Sequence, residues 1–203
     1  MSSSTITENG INSNNGNNSK SITFRLDSII LNKLHHEAEQ KDISVNTLVS
    51  HIIKRHIEWH SNAAKAGFVA VRRGLLSNLI NKLPEKDISS IAEYIAKNET
   101  KDFVLLLRNQ YNIESALDVI ETWIKISGYP YRHEADYSRH SYVIQHDMGK
   151  NWSLYMAELY RFLFEEFGLQ RVEFDLNHNT LDFTFNIERR DYNNKSIAAW
   201  GFC

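Results

Sequence analysis

Ser21-Ile22-Thr23-Phe24-Arg25-Leu26 is the stretch on which the fold of this chain turns. Polar and apolar residues alternate with period two, which predicts a half-buried strand. Asp27 or Ser28 stands next, at a helix N-cap position, where a short side-chain oxygen accepts from a free backbone N–H. Ile30, Leu31, Leu34 and Ala38 then recur at helical spacing and predict a helix to about Gln40. Lys41-Asp42 breaks it, and Ser44 is placed to cap a second helix. That helix carries Val45, Leu48, Val49, Ile52 and Ile53 on one stripe and ends near Trp59-His60.

A lone short strand is unstable in water. The segment makes sense if two chains pair their strands into an antiparallel ribbon and bury their helices together. Ile22, Phe24 and Leu26 then face a shared core, and Ser21, Thr23 and Arg25 face outward. A two-stranded ribbon of that kind fits the major groove of B-DNA, where the base edges differ.

From Lys20 to Trp59, about a fifth of the chain, the sequence resembles the ribbon-helix-helix DNA-binding repressors. The residues that carry the likeness are Ile22-Thr23-Phe24-Arg25-Leu26-Asp27, Ile30, Leu34, Ile43-Ser44-Val45-Asn46-Thr47-Leu48 and Ile52-Ile53. The resemblance implies that Ser21, Thr23 and Arg25 read bases. It also implies that Ser44, Val45 and Asn46, at the start of the second helix, hold a DNA phosphate, since helix N-termini favour anions. It implies a homodimer as the working unit. The turn between the helices usually holds Gly in that family; here Asp42 takes the place, and Asp tolerates a left-handed backbone better than most residues. Six cations against five anions give residues 20–59 a net charge of +1. Affinity for DNA must then come from avidity and from the placing of Arg25.

Before the module, residues 1–19 are dominated by Ser, Thr, Asn and Gly. They lack the apolar content to offset ordering entropy, so a disordered tail is expected. After it, Ser61 to Gly67 reads as a linker. Residues 68–190 read as an α+β domain for dimerisation, sensing or partner binding, and residues 191–203 as a loosely ordered tail. In that domain Phe68–Val71 is a short apolar run, a strand or a helix start. Helices are expected over Leu75–Leu83, stopped by Pro84, and from Asp87 through Ile91 and Ile95 on to Leu107. A clear amphipathic helix spans Asn112–Ile126, ended by Gly128 and Pro130. Strands are predicted at Tyr131–Tyr137 and His140–Gln145, then a helix Trp152–Phe167 capped by Asp147 or Asn151. A final hairpin joins Val172–Leu176 to Leu181–Ile187 through Asn177–Thr180. The fold class is thus an N-terminal ribbon-helix-helix followed by helices and a small antiparallel sheet.

Nine histidines raise the question of metal. His56 and His60 lie four apart on one helical face, and His133, His140 and His146 cluster around the sheet. A metal-responsive regulator is one alternative; surface or core-edge histidines are the simpler reading, and no metal or cofactor is assigned. His140, Tyr142, His146, Asp147 and Trp152 gather at a strand-to-helix junction and form the candidate effector site, for a small molecule or protein partner. Capping and core packing also account for them. There is no Gly-rich phosphate loop, nucleophile elbow or metalloprotease motif, so no catalytic role is expected.

Formal net charge is −2 over 203 residues, so nucleic-acid binding would rest on a local patch. The single cysteine, Cys203, rules out an intrachain disulfide and fits a reducing compartment. No stretch approaches the roughly 20 apolar residues of a membrane span, and the N-terminus lacks a signal peptide's apolar core. The expectation is a soluble, cytoplasmic regulator that binds double-stranded DNA as a dimer and does not engage a membrane. An antitoxin-type interaction protein is the other alternative, and so is an enzyme or ligand-binding protein using the N-terminal module only for assembly.

Overall fold

Asp27 caps the first helix as its position predicts: its carboxylate accepts the Ile29 N–H at 2.7 Å. Helix α1 then runs Ser28–Gln40 and α2 runs Val45–Arg55. Between them Asp42 takes a left-handed conformation, φ 52°, and Ile43 N–H returns to Ala38 O at 3.0 Å. These elements come from a computed structural model, which describes residues 20, 22–136, 138–169 and 171–187. The proposed tails, residues 1–19 and 191–203, lie outside the described residues, as does Ser21. The chain divides into two compact units between Ser50 and His51.

Residues 22–27 belong to no helix or strand. The alternation in Ile22–Leu26 needs a partner strand to become a ladder, and the described residues of one chain offer it none. Among the described residues of the first unit only Ala38 and Leu48 are buried.

In the second unit the segment expected to be a linker, Ser61 to Gly67, begins in a short helix and continues in turns. A π-turn, His56–His60, leads into a short helix, α3, Ser61–Ala63. Trp59 is buried there because its indole meets Phe68 and Phe103 edge-on at 5.2 and 5.4 Å. Phe68–Val71 joins no helix or strand. Helix α4, Arg73–Ile80, ends before Pro84, and α5 spans Glu85–Asn98. The long helix expected through Leu107 is broken. Glu99, at φ −121°, separates α5 from α6, Thr100–Arg108, and the Thr100 hydroxyl takes up the Ile95 carbonyl at 3.1 Å. Helix α7, Ile113–Ser127, follows its predicted span: the Asn112 side chain caps it and Gly128 closes it at φ 67°.

The sheet has four antiparallel strands: β1 Tyr131–Asp136, β2 Arg139–Gln145, β3 Glu173–Leu176 and β4 Thr180–Asn186, in the order β1-β2-β4-β3. Helix α8, Lys150–Glu166, connects β2 to β3. The period-two alternation makes one face dry. Tyr142, Ile144, Leu181, Phe183 and Phe185 are all buried. Trp152, Met156, Tyr160, Leu163 and Phe164 of α8 join them in one continuous core with Ile88, Val104, Leu117, Ile120 and Ile124. The second unit is an α+β fold, as expected.

Candidate functional site

The N-terminal unit presents the residues singled out for DNA, apart from Ser21, on open surface. Thr23, Arg25, Ser44 and Asn46 are exposed and Val45 is half-buried. Ser44 Oγ accepts the Thr47 N–H at 3.1 Å and contacts Thr47 Oγ1 at 2.8 Å. This cap fixes the first turn of α2, which carries no acidic side chain. Its other free N–H groups form the positive end of a helix dipole.

The same unit keeps apolar side chains in water. Ile22 is 73 % exposed, Phe24 53 %, Ile29 64 % and Ile30 51 %. Farther along α2, in the residues counted with the second unit, Ile52 and Ile53 are exposed too. All of these but Ile29 are positions that the sequence pattern assigns to a dry face.

The five residues of the candidate effector site fall into two groups. His146, Asp147 and Trp152 are at the β2–α8 junction, and there the N-terminus of α8 is already occupied. Asn81, just after α4, donates to Met148 O at 2.6 Å and accepts from Asn151 N–H at 3.4 Å. Asn151 returns the contact by donating to Ile80 O and Leu83 O at 3.1 and 3.0 Å. Ser77 Oγ adds a bond to Met148 O at 2.9 Å. Gly149, not Asp147 or Asn151, holds the cap position, at φ 93°. A Cβ there would lie 2.5 Å from the Asn81 amide. The anion-attracting helix end thus serves to join α4 to α8.

His146 is fully buried. Its Nδ1 accepts the Met148 N–H at 3.0 Å, so the ring proton sits on Nε2, 2.8 Å from Ser153 Oγ. Ser153 Oγ in turn donates to Asn177 O at 2.5 Å. Burial pushes the imidazole down to about 4. It is a neutral strut tying the junction to the β3–β4 turn. Trp152 is also buried, tilted on Tyr155 at 5.1 Å.

His140 and Tyr142 belong to the second group, built around Glu121 of α7. Glu121 Oε1 accepts from Tyr142 OH at 3.0 Å and from His133 Nδ1 at 2.9 Å. Its Oε2 faces Lys125 at 3.3 Å and the Tyr131 hydroxyl at 3.5 Å. His133 Nε2 meets His140 Nδ1 at 3.0 Å. The rings stack in rows across the sheet: His133 on Tyr142 at 3.9 Å, Tyr142 on Phe183 at 4.8 Å, and His140 on Phe185 at 5.2 Å. These rows follow the register, in which His133, Tyr142 and Phe183 are successive cross-strand neighbours. Burial and the Glu121 carboxylate raise the Tyr142 hydroxyl far above its ordinary value. Burial and the neighbouring His133 lower His140, against the pull of Glu121.

Glu121, Asn81 and Ser153 were not among the residues singled out in the sequence, and His133 was noted only in the question of metal. Glu121 had a signal, since it follows Ile120 and sits three before Ile124 on a helix whose inner face is otherwise apolar. Asn81 and Ser153 had none, because their partners are distant in sequence. His56 and His60 lie on the exposed π-turn with ring centroids 6.5 Å apart. Among the described residues no group of three or more His, Cys, Asp or Glu side chains is arranged to hold a metal ion. No helix among them is long and apolar enough to cross a membrane. No family model matches the chain, and no curated protein or solved structure matches it.

Proposed function

We propose that this protein is a sequence-specific DNA-binding transcription regulator that works as a homodimer. In this reading, residues 21–26 of two chains pair into a ribbon that enters the major groove. Thr23 and Arg25, with Ser21, read base edges, and the start of α2 at Ser44, Val45 and Asn46 clamps a phosphate. The second unit serves as a dimerisation, effector or partner domain.

The observation that carries this reading is the incompleteness of the first unit. It buries only Ala38 and Leu48 among its described residues while Ile22, Phe24, Ile29 and Ile30 stand in water. A core of two side chains cannot offset the ordering entropy of two helices. A second copy supplies both a partner strand and a cover for the helices. Two local features agree: the left-handed Asp42 that lets α1 turn into α2, and the Ser44 cap that orients the first turn of α2.

The antitoxin alternative is less well served, because such partner-masking regions are short and unfolded until bound. The second unit here carries its own continuous core.

The test is selection from random duplex DNA by the full chain at two salt concentrations, beside a Thr23→Ala/Arg25→Ala variant. The expected result is a palindromic site, affinity that falls with salt, and loss of selection in the variant. Arg25→Ala alone should cost roughly 1–3 kcal/mol if the guanidinium pairs with a base. A full chain that selects no site at either salt concentration, alone or with cell extract as a source of effector, would overturn the proposal.

A further inference from the structure

We propose that His133 and His140 form an acid-operated latch that holds the turn end of the β1–β2 hairpin against α7. The inference is independent of DNA binding and rests on how protons can be placed in the cluster. His133 Nδ1 points to Glu121 Oε1 at 2.9 Å, and its Nε2 faces His140 Nδ1 at 3.0 Å. With both rings neutral, His133 Nδ1–H donates to Glu121, and His140 Nδ1–H donates to His133 Nε2. Every nitrogen in the chain of contacts is then satisfied.

One added proton is accommodated. His133 becomes doubly protonated and donates to Glu121 on one side and to His140 Nδ1 on the other, while His140 carries its own proton on Nε2. The bond between the rings survives with its direction reversed. A second added proton has no such place. All four ring nitrogens then bear hydrogen, and two N–H groups oppose each other across the 3.0 Å contact. Two imidazolium rings also stand together beside a single carboxylate.

The groups facing the pair sharpen this threshold. Helix α7 offers Glu121 and, on its far oxygen, the Lys125 ammonium. Strand β1 offers the Tyr131 hydroxyl and β2 the Tyr142 hydroxyl, both directed at Glu121. Strand β4 presents only the rings of Phe183 and Phe185, with Tyr160 of α8 behind Phe183. The single carboxylate, already shared with Lys125, still accepts from a His133 that gains a first proton, and no further anion among these groups faces a second. Burial and His133 already disfavour charge on His140.

When the second proton enters, His140 leaves its stack on Phe185, and the cross-strand pairs Ala135–His140 and Asp136–Arg139 open. The remaining hairpin stays anchored through Tyr131, Ile144 and Leu181, whose register lies at the opposite end of the strands.

The experiment is an imidazole-nitrogen NMR titration of the full chain from about pH 8 to pH 4, with backbone amide protection followed alongside. The expected result has His133 and His140 titrating in two coupled steps. Protection is lost at residues 133–136 and 139–142 on the second step while β3 retains its own. His140→Asn keeps a hydrogen-bonding group in place of Nδ1 but cannot take up the second proton, so the local opening should vanish. Glu121→Gln removes the compensating charge, and opening should move to higher pH. Independent single titrations of the two rings would overturn the latch. So would an opening that persists unchanged in His140→Asn, or loss of β1, β2 and β3 protection in one step.

Discussion

His146 shows how one buried side chain sets a pH dependence for the whole fold. Its pKa is lowered to about 4 from an ordinary 6.5, so the folded state refuses a proton that the unfolded chain accepts. Its contribution is fully present above pH 6.5, weakens as pH falls below that, and is gone once pH passes through about 4. The size is on the order of 3 kcal/mol. Urea unfolding at a series of pH values should show that decline. His146→Asn, which retains an acceptor near the Met148 N–H, should flatten it even if the variant is less stable at neutral pH. Gly149 is a second residue whose identity the backbone dictates. At φ 93° and ψ 164° it occupies a region open essentially to glycine alone, and a Cβ would strike the Asn81 amide. Gly149→Ala should cost about 3 kcal/mol, the strain plus a displaced hydrogen bond; a loss below about 1 kcal/mol would mean Asn81 moves aside freely.

At the scale of elements, the caps decide where helices begin. Ser44 bonds the Thr47 N–H, so Ser44→Ala should destabilise the first unit by about 1 kcal/mol. If the first turn of α2 also grips phosphate, the same variant should weaken DNA binding uniformly across sequences, whereas Arg25→Ala should relax selectivity. Binding curves on two unrelated operators separate the two effects. The α5–α6 break and the Gly149 cap of α8 belong to the same scale. At the first, apolar periodicity runs on and a local hydrogen bond marks the break; at the second, a tertiary hydrogen bond fixes the backbone just before α8 begins.

For the whole molecule the deciding quantity is what the exposed apolar residues do in solution. Phe24 is 53 % exposed in the single chain. Phe24→Glu therefore costs almost nothing if the protein is a monomer, within about 0.5 kcal/mol. In a dimer with a shared core it buries a charge and should abolish association. Sedimentation equilibrium on the two proteins gives the answer: a wild-type monomer, or a variant that still dimerises, would remove the basis for a paired ribbon. The second unit should keep its cooperative unfolding in either case, since its core does not include Phe24.

The sequence by itself determined the period of each element and most helix and strand positions. Alternation in residues 172–187 and helical spacing in residues 112–126 are local properties, and so are the Asp27, Ser44 and Asn112 caps, each bonding an amide two or three residues away. It also marked His140, Tyr142, His146 and Trp152 as unusual. Only the tertiary structure decided what they do. The order β1-β2-β4-β3 places His133 beside Tyr142 and His140 beside Phe185, and α7 lowers Glu121 onto that row. Asn81 reaches Met148 across 67 residues of chain, turning an inviting helix N-terminus into a structural joint. Such contacts follow from packing of the whole core, and no local spacing encodes them.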